Sequence, residues 1–402
     1  MNTKDKVLAF LLEAYNSVEK EDSPSEDKTI SGEKLASLCG VSRAAIWKAV
    51  NALRLEGIQI EGTTNGGYKL CDDDIFTQDF FEQTLSKDFP ELADFHSEIF
   101  KEIDSTNTYA KKLLSQAGNL RLPDGTLTQA GKKYHNAIIC AESQTAGRGR
   151  LGRTFISPAK TGVYLSIIYA PEGGITNPAK ITAFSAVAVC RAVKELYGIE
   201  CQIKWINDIY LNGKKICGIL TEGFTDFETG TIESAIIGIG INIKDNPAFE
   251  ENKVSQNAGS IEAVIAESQS VISNSNSVIT DNASVITDNT SVITDNISVI
   301  PVLDTGISHK ITRCKLAAHI YANVLKILEE SPETIITEYK KASFLISKII
   351  TVHPIIGDDK STYTAKAIDI DQNASLIVEL ADGTRKALSS GEVSLGSGLN
   401  RP

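Results

Sequence analysis

Residues Ala141–Arg153 read A-E-S-Q-T-A-G-R-G-R-L-G-R, and this stretch decides how the rest of the chain is interpreted. The apolar run Ala137–Ala141 leads into it and predicts a buried strand. Glycine lets a backbone approach a ligand closely, and successive exposed N–H groups form a concave anion site. Arginine adds a planar set of donors that suits phosphate or carboxylate. The stretch therefore predicts a flexible cationic loop that binds a phosphate or an acyl-phosphate.

Two other interpretations of this loop are disfavoured. Glycine–arginine runs also occur in disordered RNA-binding tails, but this one lies between apolar segments and has no interleaved aromatic residues. It is not a Walker P-loop either, because no G-K-[ST] follows the glycines.

Composition limits the classes of protein to which the chain could belong. A length of 402 residues is enough for two or three domains. The seven cysteines form no C-x-x-C pair and the five histidines do not cluster, which favours a reducing cytoplasm over a zinc site or a disulfide framework. We expect no signal peptide and no membrane span. With a net charge of −11, any DNA binding must come from a local surface.

The N-terminal segment has the pattern of a winged helix-turn-helix domain. Ser31 and Ser42 each occupy the N-cap position of a predicted helix, and a turn at Cys39–Val41 separates the two helices. Gly57 ends the second helix, and Ile58–Leu70 reads as a β-hairpin with Asn-Gly at its tip. Helix, turn, recognition helix and wing in this order are typical of DNA-binding domains.

The second of these helices is the predicted recognition helix. Ala45, Val50 and Leu53 are expected to pack inward, together with Trp47 or Ile46. An alternative is a small helical interaction domain without DNA, which the lack of an overall basic charge favours. The polar residues available on the other side favour DNA, and the candidate DNA-binding residues are Ser42, Arg43, Lys48, Asn51 and Arg54.

Three further motifs place polar side chains beside apolar segments. Asp104–Asn107 reads D-S-T-N at a predicted helix start, where such residues usually only cap the helix. Lys204–Asp208 reads K-W-I-N-D and precedes a hairpin whose second strand begins in Gly213–Leu220, G-K-K-I-C-G-I-L. Ala235–Ile243 is a predicted strand with two internal glycines, which often mark a close approach of backbone or ligand.

A repetitive segment interrupts the central region at about 262–304. Units close to S-V-I-T-D-N-x begin at Ser270, Ser277, Ser284, Ser291 and Ser298. The period of seven does not indicate a coiled coil, because β-branched residues and Asp-Asn disfavour helix. We expect an exposed, mostly disordered or loosely β insertion without chemistry, with partner binding as the minority alternative.

The C-terminal segment, 348–402, has a pattern that predicts short apolar strands separated by turns such as Asp382-Gly383. The pattern of strands and turns closes at Gly391–Ser394, which reads G-E-V-S.

Taken in order, these motifs resemble those of the biotin–protein ligase family, in the form that joins biotin–[acetyl-CoA-carboxylase] ligase to a biotin-operon repressor. The resemblance implies an α+β multidomain fold. Its expected parts are a winged helix-turn-helix domain at 1–71, a mixed α/β class II synthetase-like ligase domain at 72–347 and an SH3-like β-barrel at 348–402. Phe155 stands where the family usually has tryptophan, Ile206 replaces a usual proline, and Ile346-Ser347 replaces a usual Leu-Gly.

The resemblance also implies roles for individual residues. Lys215 is expected between the biotin carboxylate and the α-phosphate, and Asn242 is expected to hold the local backbone or the nucleotide. The implied catalytic residues are Lys215, Arg150 and Asp208. The implied biotin-binding residues are Ser105, Thr106, Asn107, Gln144, Arg148, Gly149, Arg150 and Lys215. The implied nucleotide-binding residues are Arg148, Arg150, Arg153, Asn207 and Asn242.

The implied activity is ATP-dependent formation of biotinyl-5′-AMP, followed by transfer of biotin to a lysine of a carrier protein. The implied ligands are biotin, ATP and Mg²⁺, with no dedicated metal-binding residues. The implied partners are the biotin carboxyl carrier protein of acetyl-CoA carboxylase, operator DNA and a second copy of the chain once the adenylate is bound. Two alternatives stay open, a biotin-sensing DNA-binding regulator without ligase activity and a lipoate–protein ligase.

Overall fold

The computed structural model describes residues 2–16, 28–63, 66–92, 95–122, 124–225, 230, 232–246, 248–251, 258–267, 312–354 and 361–395. The chain divides into two compact units, Met1–Phe80 and Phe81–Pro402, and each is treated by itself below. The predicted domain bounds 1–71, 72–347 and 348–402 stay predictions.

The first unit is a three-helix domain followed by a hairpin. Its elements are α1 (Thr3–Asn16), α2 (Gly32–Cys39), α3 (Arg43–Leu55), β1 (Ile60–Thr63) and β2 (Gly67–Leu70). Ser31 Oγ accepts a hydrogen bond from Lys34 N, and Ser42 Oγ accepts one from Ala45 N, so both predicted helix caps are present. Strands β1 and β2 pair antiparallel, which gives the helix-turn-helix its hairpin.

Helix α3 buries one face in the core of this unit. Ile46, Val50 and Leu53 are fully buried, whereas Trp47 is 58% exposed. Of the two alternatives, Ile46 and not Trp47 packs inward, because positions 46, 50 and 53 follow the i, i+4, i+7 spacing of one helix face. Ala45 is only partly buried, and Ala49 packs in the core.

The second unit is built on a seven-stranded sheet with the order β3-β4-β5-β9-β8-β7-β6. Strands β3 and β4 are parallel, and every other neighbouring pair in this sheet is antiparallel. The strands are β3 (Ser97–Ile103), β4 (Ala137–Gln144), β5 (Gly162–Tyr169), β6 (Gln202–Lys204), β7 (Asp208–Leu211), β8 (Lys214–Thr225) and β9 (Ile232–Asn242).

Helices cover this sheet. Helix α4 (Gln78–Asp88) includes the boundary between the two units. The helices that follow are α5 (Thr106–Ala117), α6 (Gln129–Tyr134), α7 (Pro178–Tyr197), α8 (Ala248–Glu251), α9 (261–267), α10 (Arg313–Glu329) and α11 (Pro332–Ala342). Helices α5, α7 and α10 pack against the central strands. Gly162–Ile168 of β5 are buried without interruption, and a strand reads in this way when both faces of its sheet are covered.

The predicted repeat insertion at 262–304 falls almost wholly outside the described residues. Its first residues differ from the expectation of an exposed segment, because they belong to α9. This helix buries Ile261 and Val264, which are three residues apart and therefore share a helix face.

The C-terminal strands form a five-stranded antiparallel sheet with the order β13-β12-β11-β10-β14. They are β10 (Ile349–His353), β11 (Tyr363–Ile370), β12 (Leu376–Glu379), β13 (Arg385–Leu388) and β14 (Glu392–Leu395). Alternate residues face a small core, among them Val352, Ala365, Ala367, Val378 and Val393. Within the described part of the chain, no helix is long and apolar enough to cross a membrane.

Replacing Ile237 of β9 by alanine should strongly destabilise the second unit. Ile237 is fully buried between β5 and β8, so the substitution leaves a cavity that the sheet cannot close. We expect the free energy of unfolding in urea to fall by about 2–5 kcal/mol. Ile349→Ala, at a position that is 63% exposed, is the control and should change it by less than about 0.5 kcal/mol. Equal effects would show that β9 is not a core strand.

Candidate functional site

Two adjoining cavities lie in the second unit where the glycine–arginine loop meets the sheet. The inner cavity measures about 50 Å³ and the outer about 260 Å³. They share five lining residues, Gly149, Arg150, Phe155, Asn207 and Lys215. A ligand that extends through both would therefore pass Lys215 and Arg150 midway.

The parallel pairing of β3 and β4 brings two predicted motifs together at the polar end of the inner cavity. Ile103, the last residue of β3, is in register with Gln144, the last residue of β4. Helix α5 begins immediately afterwards, and Thr106 N donates to Gln144 Oε1 over 2.9 Å. Ser105 caps α5 by accepting from Thr108 N, so its hydroxyl has the ordinary capping role as well as a place in the cavity lining.

Glycines of β9 make room for the side chains of this cavity. A Cβ at Gly238 would lie 2.2 Å from Asn107 Oδ1, and a Cβ at Gly240 would lie 2.5 Å from the Phe155 ring. Real Cβ atoms do not approach other atoms so closely, so only glycine allows these contacts. The Phe155 ring also lies 3.5 Å from the Cβ position of Gly218, which places it over the floor of the pocket.

Three polar residues that the sequence interpretation missed complete the inner site. Ser157 Oγ accepts from Gln144 Nε2 over 2.9 Å. Ser166 Oγ lies 2.6 Å from Asn107 Oδ1, and Glu222 Oε2 accepts from Asn107 Nδ2 over 2.9 Å. A signal exists for two of them, because each is a polar residue within an apolar strand pattern, V-Y-L-S-I-I-Y and I-C-G-I-L-T-E.

The glycine–arginine loop folds back on itself. Arg148 and Thr154 form an antiparallel bridge, and Gly149 N donates to Arg153 O over 2.7 Å. The expectation that successive N–H groups form the anion site therefore fails at Gly149, whose N–H is used within the loop. Leu151, at the tip, has φ 64° and is half exposed.

Each loop arginine has a partner in the surrounding structure. Arg150 Nη1 donates to Asn207 Oδ1 over 2.7 Å, and its Nη2 donates to Gly391 O over 3.2 Å. Arg153 makes a bidentate pair with Glu392, at 2.8 and 2.6 Å. This pair lowers the pKa of Glu392 and raises the pKa of Arg153. The loop is thereby linked to the C-terminal sheet.

Polar residues around the starts of β7 and β8 line the cavities and contact one another. Lys215 Nζ is 2.7 Å from Asp208 Oδ1, and Asn207 Nδ2 donates to the same carboxylate over 3.0 Å. Lys204 lines the outer cavity, and burial lowers the pKa of its ammonium group. Asn242 also lines the outer cavity, and its Nδ2 donates to Gly259 O over 3.2 Å, so it holds the local backbone.

The predicted ligase residues thus converge on one site, although their individual roles stay predictions. Ser105, Thr106, Asn107 and Gln144 line only the inner cavity, whereas Arg153, Asp208 and Asn242 line only the outer one. Arg148 lies at the inner cavity and pairs with Glu222 over 3.2 Å. Among the described residues, no three His, Cys, Asp or Glu side chains come together as a metal site.

In the first unit, the candidate DNA-binding residues lie along α3. Arg43 and Lys48 are exposed, and Ser42 caps the helix. Arg54 has a structural contact, since its Nε donates to Ile60 O at the start of the hairpin. Trp47, which the sequence left as an alternative to Ile46 for the core, lies on the surface, and its position four residues after Arg43 is consistent with the outward face.

Family models match three separate parts of the chain. The "Biotin/lipoate A/B protein ligase family" matches residues 100–242, an "HTH domain" matches 25–69, and the "Biotin protein ligase C terminal domain" matches 355–396. The bifunctional ligase/repressor BirA of Bacillus subtilis (strain 168) is 34% identical over 245 residues, which are 61% of this chain and 70% of that protein.

The chain belongs to the BirA family of bifunctional ligase/repressors. It is a biotin–protein ligase with a helix-turn-helix repressor domain. BirA of Escherichia coli (strain K12) is 31% identical over 227 residues, which are 56% of this chain and 63% of that protein. A biotin protein ligase from Aquifex aeolicus, solved with biotin and ATP, has a TM-score of 0.49 at 20% identity and covers 74% of this chain and 97% of its own.

Replacing Gly238 by alanine should disrupt the polar end of the inner cavity in this BirA-family chain. The added methyl group would displace Asn107 and leave buried polar groups without their hydrogen bonds. We expect the free energy of unfolding to fall by about 1–3 kcal/mol. Gly223→Ala on β8 is the matched control, because its Cβ would meet only the flexible Ile232 side chain at 3.3 Å or more. Chemical denaturation compares the two, and an unchanged stability for Gly238→Ala would contradict the close approach.

Proposed function

We propose that the two adjoining cavities form one active site in which biotin is activated by ATP and then transferred to a carrier-protein lysine. The observation that supports this best is the position of Lys215. Its side chain lines both cavities, between the inner one, which Ser105, Thr106, Asn107 and Gln144 line, and the outer one, which Arg153 and Asp208 line. That is the place where a carboxylate from one side and a phosphate from the other would meet.

Biotin is assigned to the inner cavity. Its ring system carries a urea group, which needs both hydrogen-bond donors and acceptors, and Thr106, Asn107 and Gln144 of the cavity lining provide these. Its carboxylate would then point toward Lys215 and Arg150. The Phe155 ring over Gly218 and Gly240 supplies an apolar cover for the ring system.

ATP is assigned to the outer cavity. Arg150, Arg153, Lys204 and Lys215 all line it, and their charges suit a triphosphate. Asp208 and Glu392 are the carboxylates of its lining. Mg²⁺ in nucleotide sites takes one or two carboxylates together with phosphate oxygens, so this donor set fits a metal held mainly by the nucleotide. When bound, Mg²⁺ would supply neutralisation of phosphate charge.

The reaction proceeds in two steps. A carboxylate oxygen of biotin attacks the α-phosphorus, the bond to the β-phosphate oxygen breaks, and pyrophosphate leaves with that electron pair. The carrier lysine then attacks the carbonyl carbon as a free amine, loses a proton, and AMP leaves. Lys215 and Arg150 stabilise the charge on the α-phosphate in the first step. No nucleophile of the enzyme is required.

The glycine–arginine loop retains the adenylate between the steps. Its arginines are held by Asn207, Glu222 and Glu392, partners that negatively charged ligand groups can replace. Reordering of the loop over the mixed anhydride would exclude water and prevent hydrolysis. Folding of the C-terminal sheet into an SH3-like barrel, with a role in acceptor docking, belongs to the same proposal.

The helix-turn-helix unit provides the second function, repression of biotin genes in the cytoplasm. We assign operator contacts to α3, whose exposed side carries Arg43, Trp47 and Lys48. Binding of the adenylate is proposed to favour a homodimer that places two such helices on a palindromic operator. The biotin carboxyl carrier protein of acetyl-CoA carboxylase is the proposed acceptor.

Lipoate ligation is the alternative that the family description itself allows. The helix-turn-helix match, the C-terminal match and the BirA relatives all favour biotin. A sensor without ligase activity is less well supported, because the Lys215–Asp208 pair and the loop arginines are all in the site.

Lys215→Ala should abolish most of the ligase activity. With the full chain, biotin, Mg-ATP and a biotin carboxyl carrier domain, intact mass should show a single biotin-sized gain on the carrier. Loss of the central cation should slow this by roughly 10²–10³-fold. Lys214→Ala removes a neighbouring cation outside the proposed machinery and should stay within about twofold of the unmodified chain. No gain despite biotin binding would favour the sensor, and modification of a lipoyl domain instead would favour lipoate ligation.

Lys48→Gln should weaken DNA binding by an electrostatic route. The DNA is a duplex selected from random sequences, and the association constant K is measured at several salt concentrations with biotin and ATP present. Loss of one phosphate contact should reduce the slope of log K against log salt by about 1. Lys6→Gln, an exposed lysine of α1, is the control and should leave the slope unchanged. Equal slopes for both variants would remove Lys48 from the DNA-binding surface.

A further inference from the structure

A chain of hydrogen bonds runs from the inner cavity to Glu222. The Ser166 hydroxyl oxygen is 2.7 Å from Thr106 Oγ1 and 2.6 Å from Asn107 Oδ1. Asn107 Nδ2 then donates to Glu222 Oε2 over 2.9 Å and to Leu220 O over 3.3 Å. Ser166 is fully buried, and Thr106 and Asn107 are nearly so.

Glu222 determines the direction of this chain. An ionised carboxylate only accepts hydrogen bonds, so the amide nitrogen of Asn107, and not its oxygen, must face it. Burial acts to raise the pKa of Glu222, but hydrogen bonds from Lys111 and Asn107 outweigh it, and the net shift is downward. The group is therefore ionised at neutral pH.

The remaining directions follow from this first one. Both protons of Asn107 Nδ2 are used, by Glu222 and Leu220, so its Oδ1 is the atom near Ser166. A hydroxyl has one proton, and an amide oxygen cannot donate, so Ser166 donates to Asn107. The Thr106 hydroxyl oxygen lies 2.7 Å from Ser166 Oγ, and the Thr106 hydroxyl donates to Gln144 Oε1 over 3.2 Å. One lone pair of Asn107 Oδ1 is left to accept from a ligand.

We propose that Glu222 is a positioning residue for biotin, because it fixes Asn107 with its carbonyl oxygen available as an acceptor for a ring N–H of the ligand. The inference rests on the proposed assignment of biotin to the inner cavity. Glu222 itself does not line that cavity. Glu222 also pairs with Arg148 over 3.2 Å. The effect proposed here is the one that is transmitted through the orientation of the Asn107 amide.

The arrangement matches a cyclic urea. Such a ring has two N–H donors and one carbonyl acceptor. Asn107 Oδ1 offers an acceptor, and Gln144 Nε2 keeps one proton for a ligand after donating to Ser157. Reversal of the Asn107 amide would place a second donor opposite a ring N–H, and the two groups would repel each other.

Glu222→Gln should cause that reversal. Glu222 accepts from Asn107 with one oxygen and from Lys111 with the other, at 2.9 and 2.6 Å. A glutamine keeps only one acceptor, and the charged Lys111 competes for it more strongly than an amide does. The new NH₂ group would then face Asn107, whose oxygen would turn toward it.

The test compares biotin by calorimetry with its two cyclic carbamate analogues, in each of which one ring N–H is replaced by an oxygen acceptor. The unmodified full chain should prefer biotin over at least one of the two regioisomers. In Glu222→Gln, biotin affinity should fall by roughly 10- to 100-fold, and the preference for biotin over that analogue should shrink or reverse. The KM for biotin should rise while the KM for ATP stays within about twofold.

Two controls separate positioning from general damage. Glu98 on β3 is also partly buried, and its carboxylate has two side-chain partners outside the cavities, Tyr109 and His96. Glu98→Gln should leave the affinities for biotin and for that analogue unchanged. Lys111→Met keeps the Glu222 carboxylate and should keep the preference for biotin. If Glu222→Gln lowers the affinity for biotin and for that analogue by the same factor, the positioning role is wrong. If the unmodified chain does not bind biotin at all, the proposed function fails instead.

Discussion

The site depends on the absence of side chains at two positions of the central strand β9. At Gly238 and Gly240 the strand backbone is approached by Asn107 and by Phe155, at distances that no other residue would allow. The sheet can thus serve as the floor of a pocket while its other positions remain in the core. The proposed roles of the Asn107 amide and of the Phe155 ring in the inner cavity both require that β9 carry no side chain at these two positions.

Several cations of the site are paired with carboxylates before any ligand arrives. Arg148, Arg153 and Lys215 are each paired with a carboxylate, in a chain whose net charge is −11. These pairs prevent uncompensated repulsion among the cations that surround the cavities. They also mean that a phosphate group must displace carboxylates that already bind these cations. The affinity for the phosphate therefore depends on the difference in free energy between the cation–phosphate and the cation–carboxylate pairs, whose charge-assisted hydrogen bonds are of similar strength.

Much of the site could be predicted from short stretches of sequence, because those stretches fold locally. The helix caps at Ser31, Ser42 and Ser105 are local and therefore predictable, whereas the place of the D-S-T-N motif in a ligand site was expected only from the family resemblance. Glu222 was not predictable, because its contact with Asn107 joins residues 115 apart. Gly149 was misjudged because backbone flexibility alone does not say which N–H groups a loop uses internally. Trp47 required knowledge of which of two adjacent apolar residues faces the core.

The hydrogen bonds from Arg150 to Gly391 and from Arg153 to Glu392 have a consequence for the evolution of the chain. These two bonds join residues that are 241 and 239 positions apart, and both start from the glycine–arginine loop. A third hydrogen bond joins Trp205, just before β7, to the carbonyl oxygen of Ala374 in the C-terminal segment. The C-terminal sheet is thus not an independent appendage that recombination could exchange freely. A replacement from another protein would have to supply a carbonyl and a carboxylate at matching places, so the two segments are constrained to be inherited together.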